Sequence, residues 1–366
     1  MTVEELVRKA HAEGASDIHL VSGLTPRCRV DGEVRELDCV RLTPDGCERI
    51  VRAFAGDALD SAVRAGELDL AKTISGVRCR INLFRAQGGW SAALRLLHAE
   101  IPRVEDLGLP AAALELSGYG HGLVLVAGET GSGKSTTLAA VLNEINHTAF
   151  KHILTLEDPV EYVYVPDRCV IHQREIGRDT ASFAAGLRAA LREDPDVILV
   201  GELRDLDTIE TALTAAETGH LVFGTVHTGS AADAIDRIVG VFGTGQQQQI
   251  RLQLSQTLRA VLCQKLLPRT SGRGRVLACE VMKTDFAIRS LIREGKTHQI
   301  ANVIQTTAGA GNILMERAVQ NLFQAGIISR ETYLRALPDG ALADHAPPAA
   351  SGEIFGLTKI RKNDIL

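Results

Sequence analysis

The sequence predicts an α/β protein: a parallel sheet with helices on both faces, preceded by a smaller α+β module. Three observations carry that prediction. A short apolar run, LVLVA at 123–127, leads straight into the glycine-rich string GETGSGKS, and an apolar helical pattern, STTLAAVLNEI, leaves it. Further fully apolar runs at 153–156, 197–200 and 221–225 alternate with helical patterns, as buried parallel strands and their crossovers do. Residues 1–100 have a different texture, with short alternating segments around turn signals, as in small antiparallel sheets.

In chain order, strands are expected at 17–20, at 26–30 closing on the turn Asp31-Gly32, at 76–84 and at 91–97. Between them, Ile50, Val51 and Phe54 recur at helical spacing and predict a helix over 45–55. The string IPRVEDLGLP (101–110), bracketed by prolines that favour extended backbone before them, reads as a linker. Beyond the glycine-rich string, helices are expected over 135–146, 182–193, 206–217, 246–262, 285–293 and 312–325. The expected organisation is an N-terminal domain over 1–100, a linker over 101–112, an α/β domain with C-terminal helices over 113–336 and a flexible Ala/Pro/Gly-rich tail over 337–366.

Composition narrows the class. Forty Lys and Arg against 45 Asp and Glu leave a formal charge of −5 over 366 residues, and no basic stretch interleaved with aromatics appears, so nucleic acid is not an expected partner. No apolar run approaches the ~18 residues that would cross a bilayer. The N-terminal MTVEELVRKAHAEG is amphipathic with early acids, unlike a secretory signal, so a cytoplasmic protein is expected. The seven cysteines contain no CxxC pair, so they read as scattered reduced thiols rather than a zinc knuckle or a disulfide framework.

Gly128-Glu129-Thr130-Gly131-Ser132-Gly133-Lys134-Ser135 fits GxxxxGK[ST] in full, and Thr136 follows it. Glycines allow the backbone to curl so that successive N–H groups face a phosphate, and the helix N-terminus adds a favourable field. Lys134 is placed to reach the β- and γ-phosphates, and the Ser135 hydroxyl to serve Mg²⁺. This is the signature of a nucleoside triphosphate site. At the ends of later strands stand further candidates. Gly201-Glu202 follows VILV, so Glu202 can serve the metal or polarise an attacking water. ILTLE delivers Glu157, with Asp158 and Glu161 beyond it, and LVFGT is flanked by His220 and His227.

The strings GETGSGKSTT, ILTLEDPVEY, LREDPDVILVGELRD and TGHLVFGTVHT resemble, in order and spacing, the Walker A, Asp box, Walker B and His box of the secretion ATPase superfamily. Two flanking segments, ASDIHLVSGLTPRCRVDGEV (15–34) and AIRSLIREGKTHQI (287–300), resemble the type IV pilus retraction branch. The likeness covers residues 1–335. It implies a PAS-like N-terminal domain, a RecA-like P-loop NTPase core and a homohexameric ring that binds ATP and Mg²⁺ between the two domains. By the same likeness Lys134 and Ser135 hold phosphate and metal, Glu202 is the Walker B acid and Glu157 lies near the attacking water. His220 and His227 would couple the γ-phosphate to domain position. Arg80 in VRCRINLF and Arg95 in ALRLL fall where the N-terminal domain's completing arginines are expected. Glu129 departs from the family's frequent Pro, in a variable part of the loop.

The resemblance implies retraction of type IV pili, hence twitching motility, through a pilus platform protein at the cytoplasmic face of the inner membrane. The alternatives are a pilus extension or type II secretion ATPase, against which the missing long N-terminal region and tetracysteine insert speak, or an accessory ATPase subunit. The helix at 285–293 carries an apolar face of Phe286, Ile288, Leu291 and Ile292 and a basic edge of Arg289 and Arg293, suited to a partner contact.

Overall fold

The computed structural model describes residues 2–30, 33–56, 63, 65–97, 100–272 and 274–337. The Asp31-Gly32 turn and the tail from residue 338 lie outside them. The chain opens with helix Val3–Ala12, closed at its start by a capping box in which the Thr2 hydroxyl accepts from Glu5 N while the Glu5 carboxylate accepts from Thr2 N. Strands β1 (Asp17–Leu20), β2 (Arg27–Val30) and β3 (Glu33–Glu36) precede helix Pro44–Ala55, and β4 (Glu67–Ile74), β5 (Val77–Ala86) and β6 (Gly89–Leu97) follow it. They form a six-stranded antiparallel sheet in the order β3-β2-β1-β6-β5-β4. Along β5 burial alternates, with Val77, Cys79, Ile81 and Leu83 inward and Arg78, Arg80 and Asn82 on the other face. The inward side chains pack with Leu6, Val7, Ile50, Val51 and Phe54 of the two helices.

Residues 101–118 are not a bare tether. Ile101 and Leu109 pack on the second sheet, as do Ala112, Ala113 and Leu116, and the Lys283 ammonium pairs with Glu115 at 2.8 Å. The second sheet runs through β7 (Gly122–Ala127), β8 (His152–Glu157), β9 (Val170–Glu175), β10 (Val197–Val200), β11 (Leu221–Val226), β12 (Leu258–Pro268) and β13 (Arg275–Lys283). Its order is β13-β12-β7-β11-β10-β8-β9, parallel throughout except for the antiparallel β12–β13 pair. Every residue of β7, β10 and β11 is buried, because helices cover both faces. Helices Phe183–Ala190, Leu206–Glu217 and Ala231–Gly240 pack with Leu125, Ile198 and Val222, while helix Lys134–Thr148 packs with Val124, Val126 and Phe223. Gly224 in β11 lies under Leu203: a Cβ there would stand 2.6 Å from Leu203 Cδ1, so any larger residue would push the Leu203 side chain aside.

Two expectations change. The helix predicted over 246–262 ends at Thr257, and from Leu258 the chain is β12, with Leu258 beside Leu123 of β7. The parallel sheet also extends beyond the predicted strands, through β9 at one edge and β12 and β13 at the other.

Candidate nucleotide site

The phosphate loop spans the end of β7 and the start of helix Lys134–Thr148. Gly128 has φ +143, and a Cβ there would meet both Gln264 O and Ser132 Oγ at 2.5 Å. The loop is therefore packed backbone to backbone against β12. Gly131 and Gly133 also have positive φ (79 and 94), which curls the loop and lets Gly133 enter the helix from the left-handed region. Ser132 Oγ is buried without a partner, a polar atom turned into a protein interior that offers it nothing. The Lys134 ammonium is buried and donates to Gly128 O (2.8 Å) and Glu129 O (3.0 Å). Burial depresses its pKa, and the charges of Glu202 and Glu161 oppose that shift. Glu129, Thr130 and Ser135 are exposed, and the Thr136 hydroxyl lies 3.0 Å from Tyr162 Oη.

Register brings the later candidates to this edge. Leu156 of β8, Val200 of β10 and Gly224 of β11 are paired neighbours, and Val226 pairs with Ala127, so all four strands end beside the loop. Gly201 N donates to Leu156 O (2.8 Å) and the Thr225 hydroxyl donates to Gly201 O, which fixes the turn that carries Glu202. Glu202 Oε1 lies 3.4 Å from His227 Nε2 and 3.3 Å from Arg204 Nε. Burial, then the Lys134 charge, holds His227 below the usual imidazole range against the pull of Glu202, so its ring is neutral at pH 7. Glu157 accepts from the Thr155 hydroxyl (2.6 Å) and from Gln173 Nε2 (3.3 Å), while Gln173 also donates to Tyr162 O (2.7 Å). Part of its surface meets solvent, yet the protein packed around it raises its carboxyl above the usual range.

His220 stands elsewhere. It precedes β11, whose first residue pairs with Gly122 at the start of β7, so it lies at the opposite edge of the sheet. Seven residue steps at about 3.3 Å each put it about 23 Å from His227. There its Nδ1–H donates to Ala215 O at 3.0 Å, the contact of a structural histidine. Within one chain the structure brings His227 to the loop and leaves His220 at the other end of β11. The residues were read as flanking one short strand, and flanking residues of a strand occupy opposite edges.

Arg80 and Arg95 are cross-strand partners on β5 and β6, on the face turned away from the N-terminal core. Arg95 Nε donates to Asp17 Oδ1 at 3.1 Å, whereas Arg80 has neither hydrogen bond nor ion pair among the described residues. The arginine that crosses between the sheets is one the sequence reading missed. Arg78 Nε donates to Val160 O (3.0 Å), and Arg78 Nη2 lies 3.4 Å from Glu175 Oε2. Its signal was present in the alternation of VRCR, which places Arg78 and Arg80 on one face.

A deep cation on the loop, acids at adjoining strand ends and a neutral imidazole within reach of one acid are the groups that phosphoanhydride hydrolysis uses. The chain is 45% identical over 337 residues to the type IV pilus retraction ATPase PilT of Pseudomonas aeruginosa, covering 90% of this chain and 96% of that protein. It is 47% identical over 324 residues to the uncharacterized protein YggR of Escherichia coli, covering 88% and 98%. The crystal structure of the pilus retraction motor PilT with bound ADP superimposes with a TM-score of 0.87 at 46% identity, over 93% of this chain and 98% of that one. The family model for type II/IV secretion system proteins matches residues 1–334, and the chain belongs to that family.

Proposed function

We propose that this protein is an ATPase motor that hydrolyses ATP to drive retraction of type IV pili, and so twitching motility. One observation carries the reading: an intact phosphate loop with a buried Lys134, in a chain that follows the pilus retraction ATPase along nearly the whole length of both. On ATP binding Lys134 leaves the carbonyls of Gly128 and Glu129 for the β- and γ-phosphates, which replace weak neutral acceptors with charged ones. Gly128, Gly131 and Gly133 hold the loop open to the phosphates, and Glu129, Thr130, Ser132 and Thr136 complete its wall.

The Ser135 hydroxyl and the Glu202 carboxylate are hard oxygen donors of the kind Mg²⁺ takes, and both lie on the edge of the sheet that carries the loop. When bound, Mg²⁺ neutralises charge that develops on the phosphate oxygens. Glu202 and Glu157 orient the attacking water, and a neutral His227 accepts or donates one hydrogen bond as the γ-phosphate comes and goes. Arg80, which has no partner among the described residues, and Arg95, released from Asp17, supply cations from the N-terminal sheet, so hydrolysis waits for closure. That requirement suits a homohexameric ring whose subunits close in turn against an inner-membrane pilus platform protein at the cytoplasmic face. No described helix is long and apolar enough to cross a membrane.

The test is ATP turnover by the purified protein beside Lys134→Ala. Wild-type protein should release phosphate and the variant should lose at least ~10²-fold in rate, with nucleotide affinity weakened as well. Equal turnover by the two would overturn the site.

A further inference from the structure

A buried carboxylate outside the hydrolytic set lies level with it. Val226 pairs with Ala127, Ala127 with Cys263, and Cys263 with Glu280, so these four residues form one row across the sheet. Ala127 immediately precedes the phosphate loop, and Val226 immediately precedes His227. Glu280, at the far end of the row on β13, is only 4% exposed.

Its contacts are unusual for a strand residue. Ala231 N donates to Oε1 at 2.7 Å, and Met315 N donates to Oε2 at 3.2 Å. Ala231 and Met315 are the first residues of helices Ala231–Gly240 and Met315–Gln324. The first N–H groups of a helix have no partner within it and carry the positive end of its dipole. One carboxylate therefore satisfies two helix starts at once. Burial raises its pKa, and the two backbone donors pull it back toward ionisation.

The two helices lead to different places. Helix Ala231–Gly240 hangs from the loop 228–230, directly after His227, and Ser230 caps it by accepting from Asp233 N. Where that helix starts decides where His227 stands relative to Glu202. Helix Met315–Gln324 follows a segment stitched to β13 through Val281 and Ile313 and through Asn312, whose Oδ1 accepts from Lys283 N. Its Ala318 and Val319 then pack with Leu267, Ala278, Ile328 and Tyr333 in a small C-terminal core.

We infer that Glu280 is a positioning residue of the nucleotide site: by tying the helix after His227 to the C-terminal helix at 315–324, its carboxylate fixes His227 against Glu202. The inference builds on the ATP-hydrolysing reading of the site and adds the link between that site and the C-terminal helices. Glu280→Gln keeps the shape but turns an amide N–H toward one of the two backbone donors, so one helix start loses its acceptor.

The experiment is a double-mutant cycle on ATP turnover by the purified full-length protein. Glu280→Gln should lower kcat about 10-fold with KM within about 2-fold, because the phosphate loop is untouched. Combined with His227→Ala it should add less than about 2-fold to the loss from His227→Ala alone, since both changes act through one group. Wild-type turnover by Glu280→Gln, or losses that multiply in the double variant, would overturn the inference, whereas an inactive wild type would overturn the hydrolytic reading instead. If Glu280→Gln fails to fold by circular dichroism, hydrogen exchange on the wild type decides. Adding the non-hydrolysed analogue AMP-PNP should slow exchange at 228–235 and at 312–319 together, and a change confined to 228–235 would sink the link.

Discussion

Replacing Arg78 with Met should cost far more than removing an ordinary strand arginine. Among the described residues the Arg78–Glu175 pair is the ion pair that joins the two sheets, with side chains only 14% and 10% exposed, so water does little to screen it. Removing one member of a buried pair strands the other charge, at a typical cost of ~3–5 kcal/mol. Glu175 retains one donor, Val160 N at 3.3 Å, and the ion-pair contact itself is long at 3.4 Å. Those two facts place the expected loss near ~3 kcal/mol. For a chain of this size that corresponds to a fall in Tm of roughly 4 °C. Arg78→Met combined with Glu175→Gln strands no charge and should recover most of the loss. Differential scanning fluorimetry on the three variants reads the effect, and trypsin cleavage in the segment 101–110 reports whether the sheets come apart first. If Arg78→Met melts within about 2 °C of wild type, or if the double variant is as unstable as the single one, the pair does not hold the sheets together.

Two further outcomes follow from the site. Glu157→Gln should keep ATP binding and lose ~10²–10⁴-fold in turnover, yet it should gain thermal stability at neutral pH. Burial raises the Glu157 carboxyl above the ordinary glutamate pKa of about 4.5, so its stabilising contribution is full below that pH and is lost as pH rises through the raised value. The Tm difference in favour of Gln must therefore widen between pH 4.5 and pH 8, and a constant difference would show that the carboxyl is not desolvated. On helix Phe286–Glu294, Ile288 and Ile292 are fully buried while Phe286 is 81% exposed. Arg289→Ala with Arg293→Ala should accordingly leave ATP turnover intact and abolish pilus retraction; parallel loss of both would place this helix within the hydrolytic cycle.

The phosphate loop and the ends of β7, β8, β10 and β11 were legible because each is a local signal: an uninterrupted apolar run followed by a glycine or an acid. β12 was not. Ile250, Leu254, Leu258 and Val261 continue a helical period across Thr257, and no glycine or proline marks the change. What ends the helix is the pairing of Leu258 with Leu123, a contact between residues far apart in sequence. β9 was missed because it is an edge strand with weak alternation, reading VIHQRE. At the site, chemistry that depends on a strand's end was readable, whereas chemistry that depends on its direction was not. His220 and His227 flank one strand and stand at opposite edges. Arg78 differs from Arg80 only in meeting Glu175 across the two sheets, which no local pattern encodes.

The central claim, that ATP turnover here is spent on pilus retraction, is tested most directly by deleting the gene in its own host, counting surface pili and scoring twitching. The deletion strain should carry excess pili that do not retract and should fail to twitch. Wild-type protein should restore both, and Lys134→Ala should restore neither. A deletion strain without surface pili would contradict the account, because it would place this ATPase in pilus extension.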